Sequence, residues 1–471
     1  MCDSYVRKKY VWVDIEKIRD RLDFGFYSPE QQENEKKIVD YGNYLRLNEV
    51  TLNRRSEPQT ESNDFINSGI DVIRMSDIRP FEISFENTVK ISEEVFLELS
   101  EFKLLEGMLI FGLTGVTLGR VVIIPKGIRK CITNRRIAQL EMKPEYDTYY
   151  LGVFLNSVYG QLQLFRYSTG VAQPNLRLED TGEILVPIPT PEIQKYIGDK
   201  VRKAEELKEE ASQLKKEMED IITTQLKLDD LQSELNDIKD KFVWESIGNI
   251  IGRLDSIYYR KQNIKTVNHM KNLMGQHKYL SDFVETINTG KKPTFKERGE
   301  EVFFVQSGNI SNNFLEFNET IKVDISSYKT LNFGDILVAK DGETIGKIAV
   351  NFSNNKSILN EHTYCLKLKE QYKAYGAYIY YLFTNKALNN LIRRESTGSA
   401  QKGLNQDFVN WIPVPLIDEM EIIRIMNTEK RRCNNIYEAE MLIKEAKQDI
   451  EDLIEGTFDM SKLNENSIER R

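Results

Sequence analysis

The chain has 471 residues, 40% of them hydrophobic and 10% aromatic, with 26 Gly and 12 Pro; that composition excludes a disordered or fibrous protein and predicts two or three folded domains. Lys and Arg number 65 against 73 Asp and Glu, a net charge of −8, which argues against a uniformly basic nucleic-acid binder. The acidity is uneven, however: residues 242–416 carry a surplus of positive charge, whereas 1–190, 191–241 and 417–471 are each acidic.

The opening MCDSYVRKKYVW lacks the apolar stretch and small-residue cleavage site of a secretory signal. No apolar run reaches the roughly 18 residues of a membrane span. Cys2, Cys131, Cys365 and Cys433 are scattered singly, and none of the three histidines stands at zinc-ligand spacing. The expected location is therefore a reducing cytoplasm, with thiols serving as small apolar side chains and no metal site.

In chain order, VWVDIEKIRDRLDFGFY (11–27) precedes β-rich runs, of which Met108–Phe111 and Val121–Ile124 are joined by a Gly-containing turn. A helical stretch follows at Tyr149–Tyr167. Beyond Pro187 and Pro189 the pattern changes to Glu, Lys and Leu. Apolar residues at Val201, Ala204, Leu207, Ala211, Leu214, Met218 and Ile221 mark one face of a long helix. A second run comprises Leu228, Leu231, Leu235, Ile238 and Phe242. Strands Ile336–Ala339 and Ile348–Phe352 and a helical stretch Lys373–Arg394 then repeat the earlier order. The C-terminal stretch shows Ile436, Ala439, Ile443, Ala446, Ile450 and Leu453 at helical spacing. A narrow apolar stripe on so long a helix needs a partner, and the two long helices are predicted to pair with each other.

Five echoes organise the chain. VWVDIEKIRDRLDFGFY (11–27) returns as VWESIGNIIGRLDSIYY (243–259), pairing Trp12 with Trp244, Arg21–Asp23 with Arg253–Asp255, and Tyr27 with Tyr259. GMLIFGLTGVTLGRVVII (107–124) matches GDILVAKDGETIGKIAVN (334–351), and KCITNRRIAQLEMK (130–143) matches KSILNEHTYCLKLK (356–369). STGVAQPNLRLED (168–180) matches STGSAQKGLNQDF (396–408), and VPIP (186–189) matches IPVP (412–415). The same order at nearly constant offset means a duplicated domain plus helix, not a solenoid repeat. The predicted fold class is α+β: two tandem related α/β domains, 1–190 and 242–416, separated by long helices (191–241 and 417–471) that pair as an antiparallel coiled coil.

Catalytic motifs are absent from the sequence. No Pro-Pro occurs, hence no Asn-Pro-Pro-Tyr or Asp-Pro-Pro-Tyr box for a flipped base, and no G-x-G-x-x-G opens a helix. Gly342–Ile348 is one residue short of a phosphate loop, with Ile348 where Ser or Thr would hold Mg²⁺, and its counterpart places Arg120 at the lysine position. Both read as turns between strands. His362 has no duplicated histidine, Asn134–Arg136 occupying the matching stretch, and is read as a local or ligand-facing side chain rather than a general base. Thr114, Thr117 and Thr344 have no base placed to activate them.

These features together resemble the specificity subunits of type I restriction–modification enzymes, over essentially the whole chain. The resemblance is carried by Arg-Leu-Asp with following aromatics (Arg21–Tyr27, Arg253–Tyr259) and by a Thr-Gly-x-Thr-x-Gly turn (Thr114–Gly119; Asp341–Gly346 with Asp341 for the first Thr). It is carried further by a Ser-Thr-Gly-x-x-Gln segment leading to Pro-x-Pro and a long helix (Ser168–Gln173, Ser396–Gln401). The Gly-x-x-Pro segment of the second copy lies in Asn288–Ile310, whereas TLNRRSEPQTE in the first has no matching Gly.

The resemblance implies that each repeat is a target-recognition domain reading half of a split site in double-stranded DNA. The helices would dock methyltransferase subunits, with a restriction/translocase subunit as a further partner and no membrane association. S-adenosylmethionine, ATP and Mg²⁺ would act only on partner subunits. Candidate DNA contacts, chosen because Arg and Lys reach guanine or phosphate and Asn and Gln reach adenine, are Arg54, Arg55, Arg74, Arg120, Arg135, Arg136, Gln173 and Asn175 in the first copy. In the second they are Lys291, Lys292, Lys296, Gln306, Lys340, Lys347, Gln401 and Lys402. Helix-packing residues are Val201, Leu214, Met218, Ile436, Ile443, Ile450 and Leu453. Trp12, Trp244, Tyr27 and Tyr259 are assigned to the core or a subunit contact.

A helix over 192–225, at about 1.5 Å per residue, is about 50 Å long. That limits half-site centres to roughly 15 base pairs apart, shortened by tilt and domain width to roughly one helical turn. Two other classes fit the same residues: a scaffold or decoy occupying a methyltransferase's specificity-subunit site without reading DNA, and a standalone DNA enzyme with an unrecognised site. With no cofactor cradle in the sequence, the isolated chain is expected neither to bind S-adenosylmethionine nor to methylate DNA. Isothermal calorimetry on the lone chain checks this, and a binding isotherm would contradict it.

Overall fold

The computed structural model describes residues 18, 23, 25–56, 64–170, 173–239, 256–273, 277–310, 315, 317, 320–398 and 402–465. Trp12, Trp244, the Arg-Leu dipeptides 21–22 and 253–254, and Gln401 lie outside the described residues. Two compact units form: Met1–Leu207 with Glu438–Arg471, and Lys208–Tyr437. Among the described residues no helix is long and apolar enough to cross a membrane, and no group of three His, Cys, Asp or Glu could hold a metal.

In the first unit, helix Pro29–Asp40 starts on Ser28, whose hydroxyl accepts from the amide of Gln31, with proline at its start where no amide donor is needed. A four-stranded antiparallel sheet runs Thr51–Arg55, Ile137–Met142, Leu109–Gly112, Val121–Ile123. A second sheet contains Cys131–Thr133 parallel to Ile70–Ile73, then Val89–Ile91 and Phe65–Ile66. The second unit repeats this. Val284–Thr289, Thr363–Leu368, Ile336–Ala339 and Ile348–Val350 form the antiparallel sheet. Ser357–Leu359 runs parallel to Phe295–Val305, which also pairs with Thr320–Val323. A strand at each Pro-x-Pro segment closes a two-stranded ribbon: Leu185–Pro187, which ends on the first proline, pairs with Tyr44–Arg46, and Pro413–Pro415 with His277–Tyr279.

Strand periodicity explains the layering. Side chains alternate between faces, and the central strand Leu109–Gly112 is buried throughout. Leu109 and Phe111 pack with the helices of the first unit, while Ile110 packs with Ile73, Ile78 and Cys131 on the other side. In the second unit Ile336 and Val338 face the helices, and Leu337 and Ala339 face Val305 and Leu359. Burial pushes the Cys131 thiol up to about 12, as suits a cysteine used as a small apolar side chain.

The single helical stretch expected after each sheet is two helices. Thr148–Asn156 gives way to Val158–Arg166 at Ser157, whose extended backbone and side chain, accepting from Gly160 N, start the second helix. Tyr375–Thr384 and Lys386–Arg394 break likewise at Asn385, whose side chain accepts from the amides of Ala387 and Leu388. A short capping side chain competes with the helical ladder, and the pattern of apolar residues does not register that competition.

Each unit contains its own share of the helix pair Pro191–Gln225 (35 residues) and Glu419–Glu455 (37 residues). In the first unit Ile193, Ile197 and Val201 share a core with Ala446, Ile450 and Leu453. Ala204 and Leu207 pack with Ala439, and Lys200 bridges Glu445 and Asp449 at 3.2 and 2.7 Å. In the second unit Met218 and Ile222 share a core with Ile422, Ile425 and Met426. There Arg424 meets Glu217 at 2.6 Å and Arg431 pairs with Glu210. Partner numbers fall as helix numbers rise, so the pairing is antiparallel. Val201, Leu214, Met218, Ile450 and Leu453 are buried; Ile436 and Ile443 are half-buried. The buried seam position is Ile222, with the expected Ile221 only half-buried. The helix ends before Lys227, at φ 47°, and Leu228–Asn236 is a separate helix.

Ile450 is fully buried in the core of the first unit, beyond the helix seam itself. Ile450→Asp is therefore expected to destabilise that unit by about 3 kcal/mol or more, and half-buried Ile443→Asp by distinctly less. Urea denaturation followed by circular dichroism checks the order.

Candidate nucleic-acid interface

Three of the five echoes meet in space in each unit. The first is the turn of the central hairpin. Gly115–Thr117 forms one tight helical turn, with Gly115 at φ 70° and Gly119 at φ 79°. Gly342–Thr344 copies it with Gly342 at 69° and Gly346 at 81°. These are left-handed conformations that favour glycine. Thr117 Oγ1 donates to Thr114 O at 3.3 Å and Thr344 Oγ1 to Asp341 O at 3.2 Å. Each turn is braced from the following helix: Gln161 Nε2 donates to Gly119 O at 2.6 Å, and Asn389 Nδ2 to Gly346 O at 2.7 Å. The expected strand-to-strand turns are thus confirmed, and the threonines act as turn formers.

The second and third echoes dock on this turn through backbone hydrogen bonds. Leu113 N donates to Arg136 O and Leu176 N to Leu113 O, both at 2.8 Å. Lys340 N donates to His362 O at 3.0 Å and Leu404 N to Lys340 O at 2.7 Å. In the first unit the result is a cleft of about 360 Å³ lined by Leu113, Thr114, Arg135, Arg136, Gln173, Asn175 and Leu176. Arg135, Arg136, Gln173 and Asn175 are all exposed. Among the described residues neither Arg135 nor Arg136 has an ion-pair partner. Four of the sequence candidates are thereby brought together.

The second unit has different chemistry on the same frame. His362 Nδ1 lies 2.9 Å from Asp341 Oδ2, with Glu361 Oε1 3.8 Å from Nε2. Lys340 sits over the Tyr364 ring at 5.6 Å. Any side chain at Gly290 would collide with the carbonyl oxygens of Leu359 and Asn360. That close approach, with Lys291 N donating to Leu359 O at 3.2 Å, places exposed Lys291 and Lys292 beside the Asn360–His362 loop. Lys402 and Lys296 are also exposed, Lys347 is half-buried, and Gln306 starts a short helical turn, its backbone amide donating to Asn309 Oδ1 at 2.8 Å.

The other first-unit candidates are tied internally. Arg54 Nη1 donates to Thr181 Oγ1 at 3.3 Å, Arg55 Nε to Gln139 Oε1 at 3.0 Å, Arg74 Nη2 to Asn87 O at 2.6 Å, and Arg120 Nη1 to Ile78 O at 2.9 Å. Sequence reasoning missed the Asp341–His362 pair, because their separation along the chain closes only across the hairpin. It also missed Arg166 and Arg394, whose guanidinium groups lie 4.3 Å from the Phe26 ring and 4.4 Å from the Tyr258 ring. The equivalence of these two arginines within the duplicated frame was the available signal.

Residues 27–220 and 275–436 match the family model of the type I restriction modification DNA specificity domain. The chain belongs to this family. Both copies of the specificity domain thus fall on the two matched segments. The type I restriction enzyme EcoBI specificity subunit of Escherichia coli is 31% identical over 158 residues, which is 33% of this chain and 32% of that protein. The chain thus spans about a third of that relative's length. The solved type-I restriction-modification S subunit from M. genitalium is 13% identical, with TM-score 0.45 over 88% of this chain and 96% of its own. The HsdS subunit from Thermoanaerobacter tengcongensis is 16% identical with TM-score 0.28 over 88% and 96%. The family assignment rests on the sequence match, not on these superpositions.

The turn glycines offer a direct check on the frame. A Cβ at Gly119 would lie 2.7 Å from Gln161 Oε1, whereas one at Gly127, at φ 72°, would meet nothing within 4 Å. Gly119→Ala is expected to cost about 2 kcal/mol and Gly127→Ala about 1 kcal/mol, read from urea midpoints.

Proposed function

We propose that this chain is the non-catalytic specificity subunit of a type I restriction–modification complex. In this reading domains 1–190 and 242–416 each recognise one half of a split DNA target. The helical regions 191–241 and 417–471 receive methyltransferase subunits and set the spacing of the halves. Methylation and cleavage belong to partner subunits, including a restriction/translocase subunit, as do S-adenosylmethionine, ATP and Mg²⁺. The observation that supports it best is one three-loop frame built twice with different polar groups: exposed Arg135, Arg136, Gln173 and Asn175 on one copy, and exposed His362 with half-buried Glu361 on the other, beside exposed Lys291 and Lys292. A frame held by backbone hydrogen bonds with divergent tips is suited to reading two different short sequences.

Phosphate and base contacts respond differently to salt. Arg135→Ala with Arg136→Ala is expected to weaken DNA binding by the complex at least tenfold. If both arginines meet phosphate, the slope of log affinity against log salt falls by about two. Fluorescence anisotropy across a salt series measures both, and unaltered affinity would count against DNA reading by this cleft. Exchange of residues 1–190 for another family member's first domain should change one half-site and leave the spacer. Mapping methylated adenines by long-read sequencing decides this, and a single uninterrupted motif would exclude two readers.

A further inference from the structure

The duplicated turns share their glycine conformations, with φ of 70° and 79° at Gly115 and Gly119 against 69° and 81° at Gly342 and Gly346, yet their tips carry opposite chemistry. Val116 stands 96% exposed at the first tip; Glu343 occupies the same place in the second and is exposed too. Since a glutamate serves the identical turn, nothing in the fold requires an apolar side chain there. Val116 stands two residues beyond Thr114, which lines the cleft together with Arg135 and Arg136, and next to Gly115, whose Cβ position would lie 3.9 Å from Gln173 Nε2.

A lone branched methyl pair beside two exposed guanidinium groups and two amides matches the major-groove edge of DNA. There thymine presents a methyl group and guanine presents two acceptors that a guanidinium bridges. A carboxylate at the same tip matches the other case, an exocyclic amino group, which cytosine offers through N4. We propose that Val116 packs on a thymine methyl next to a guanine held by Arg135 or Arg136, and that Glu343 accepts from a cytosine amino group in the second half-site. This rests on the DNA-reading role proposed above. It adds which bases each head selects and which side chains select them.

The test uses the full chain in complex with its methyltransferase subunits. Selection from a random-sequence duplex library defines the bound motif, and the selected duplex is then remade with deoxyuridine for each thymine of the first half-site. Loss of the methyl at one thymine should weaken wild-type binding about fourfold, the effect of one buried methyl group. The Val116→Ala complex should bind the two duplexes equally. Replacing Arg135 or Arg136 by Ala should cut the preference for guanine at the neighbouring position about tenfold, and Glu343→Val should remove a cytosine from the second half-site alone. Since both tips are exposed, thermal melts should not change.

Equal wild-type affinity for thymine and uracil, with the selected motif intact, overturns this assignment and leaves DNA reading standing. Failure to select any motif overturns DNA reading itself. Release of the methyltransferase by Val116→Ala with no change in motif would make Val116 a protein contact and overturn the proposal as well.

Discussion

Everything at the candidate interface depends on one strand in each unit being buried on both faces. Leu109–Gly112 and Ile336–Ala339 each separate a helical core from a second sheet. Any slip of register by one residue would exchange the two sets of side chains. With the strand locked, the turn at its end is locked too, and its left-handed glycines have no freedom to drift. The loops 134–136 and 173–176, and 360–362 and 402–404, then hang from that turn by main-chain hydrogen bonds. Because those bonds use no side chains, the tips can diverge in sequence without loss of the frame.

The negative net charge is reconciled with this arrangement by where the charges go. Much of the acidity lies on the paired helices, where Glu210, Glu217, Glu445 and Asp449 meet Arg431, Arg424 and Lys200. Several of the basic groups of the first unit, by contrast, are consumed internally: Arg54, Arg55, Arg74 and Arg120 each serve a neighbouring acceptor. What matters for an anionic ligand is the local set of exposed, unneutralised cations, and in the first unit the cleft concentrates two of them. Total charge is a poor guide where opposite charges are segregated over distances beyond the screening length.

The helix pair carries a device of its own in the second unit. Glu429 and Arg432 are nearly fully buried and form a bidentate pair with both distances at 2.7 Å, and Tyr381 donates to Glu429 Oε2 at 2.6 Å. Both charges lie three residues apart on one helix, so the pair moves as a unit and contributes little net stability against an apolar substitute; the Tyr381 hydroxyl ties it to the rest of the unit. Arg166 in the first unit and Arg394 in the second perform a related task, each stacking on an aromatic ring at the start of its domain. Arg166 also donates to Phe26 O at 3.1 Å.

The duplication, the mixed α and β content and the antiparallel long helices were legible in the amino-acid sequence. Repeats and hydrophobic period are properties of order along the chain, and they survive without coordinates. Local conformation was legible where the backbone demanded a residue type, as at the turn glycines. Tertiary structure alone decided which cations are spent and which are free, since Arg54 and Arg135 are equivalent in composition and differ only in whether a partner lies within reach. It decided that Asp341 meets His362, that Ile222 rather than Ile221 enters the seam, and that Ser157 and Asn385 end one helix and begin another. Each of these depends on the position of a second group far along the chain or on competition between nearly equal local hydrogen bonds, and neither leaves a mark in the periodicity of the sequence.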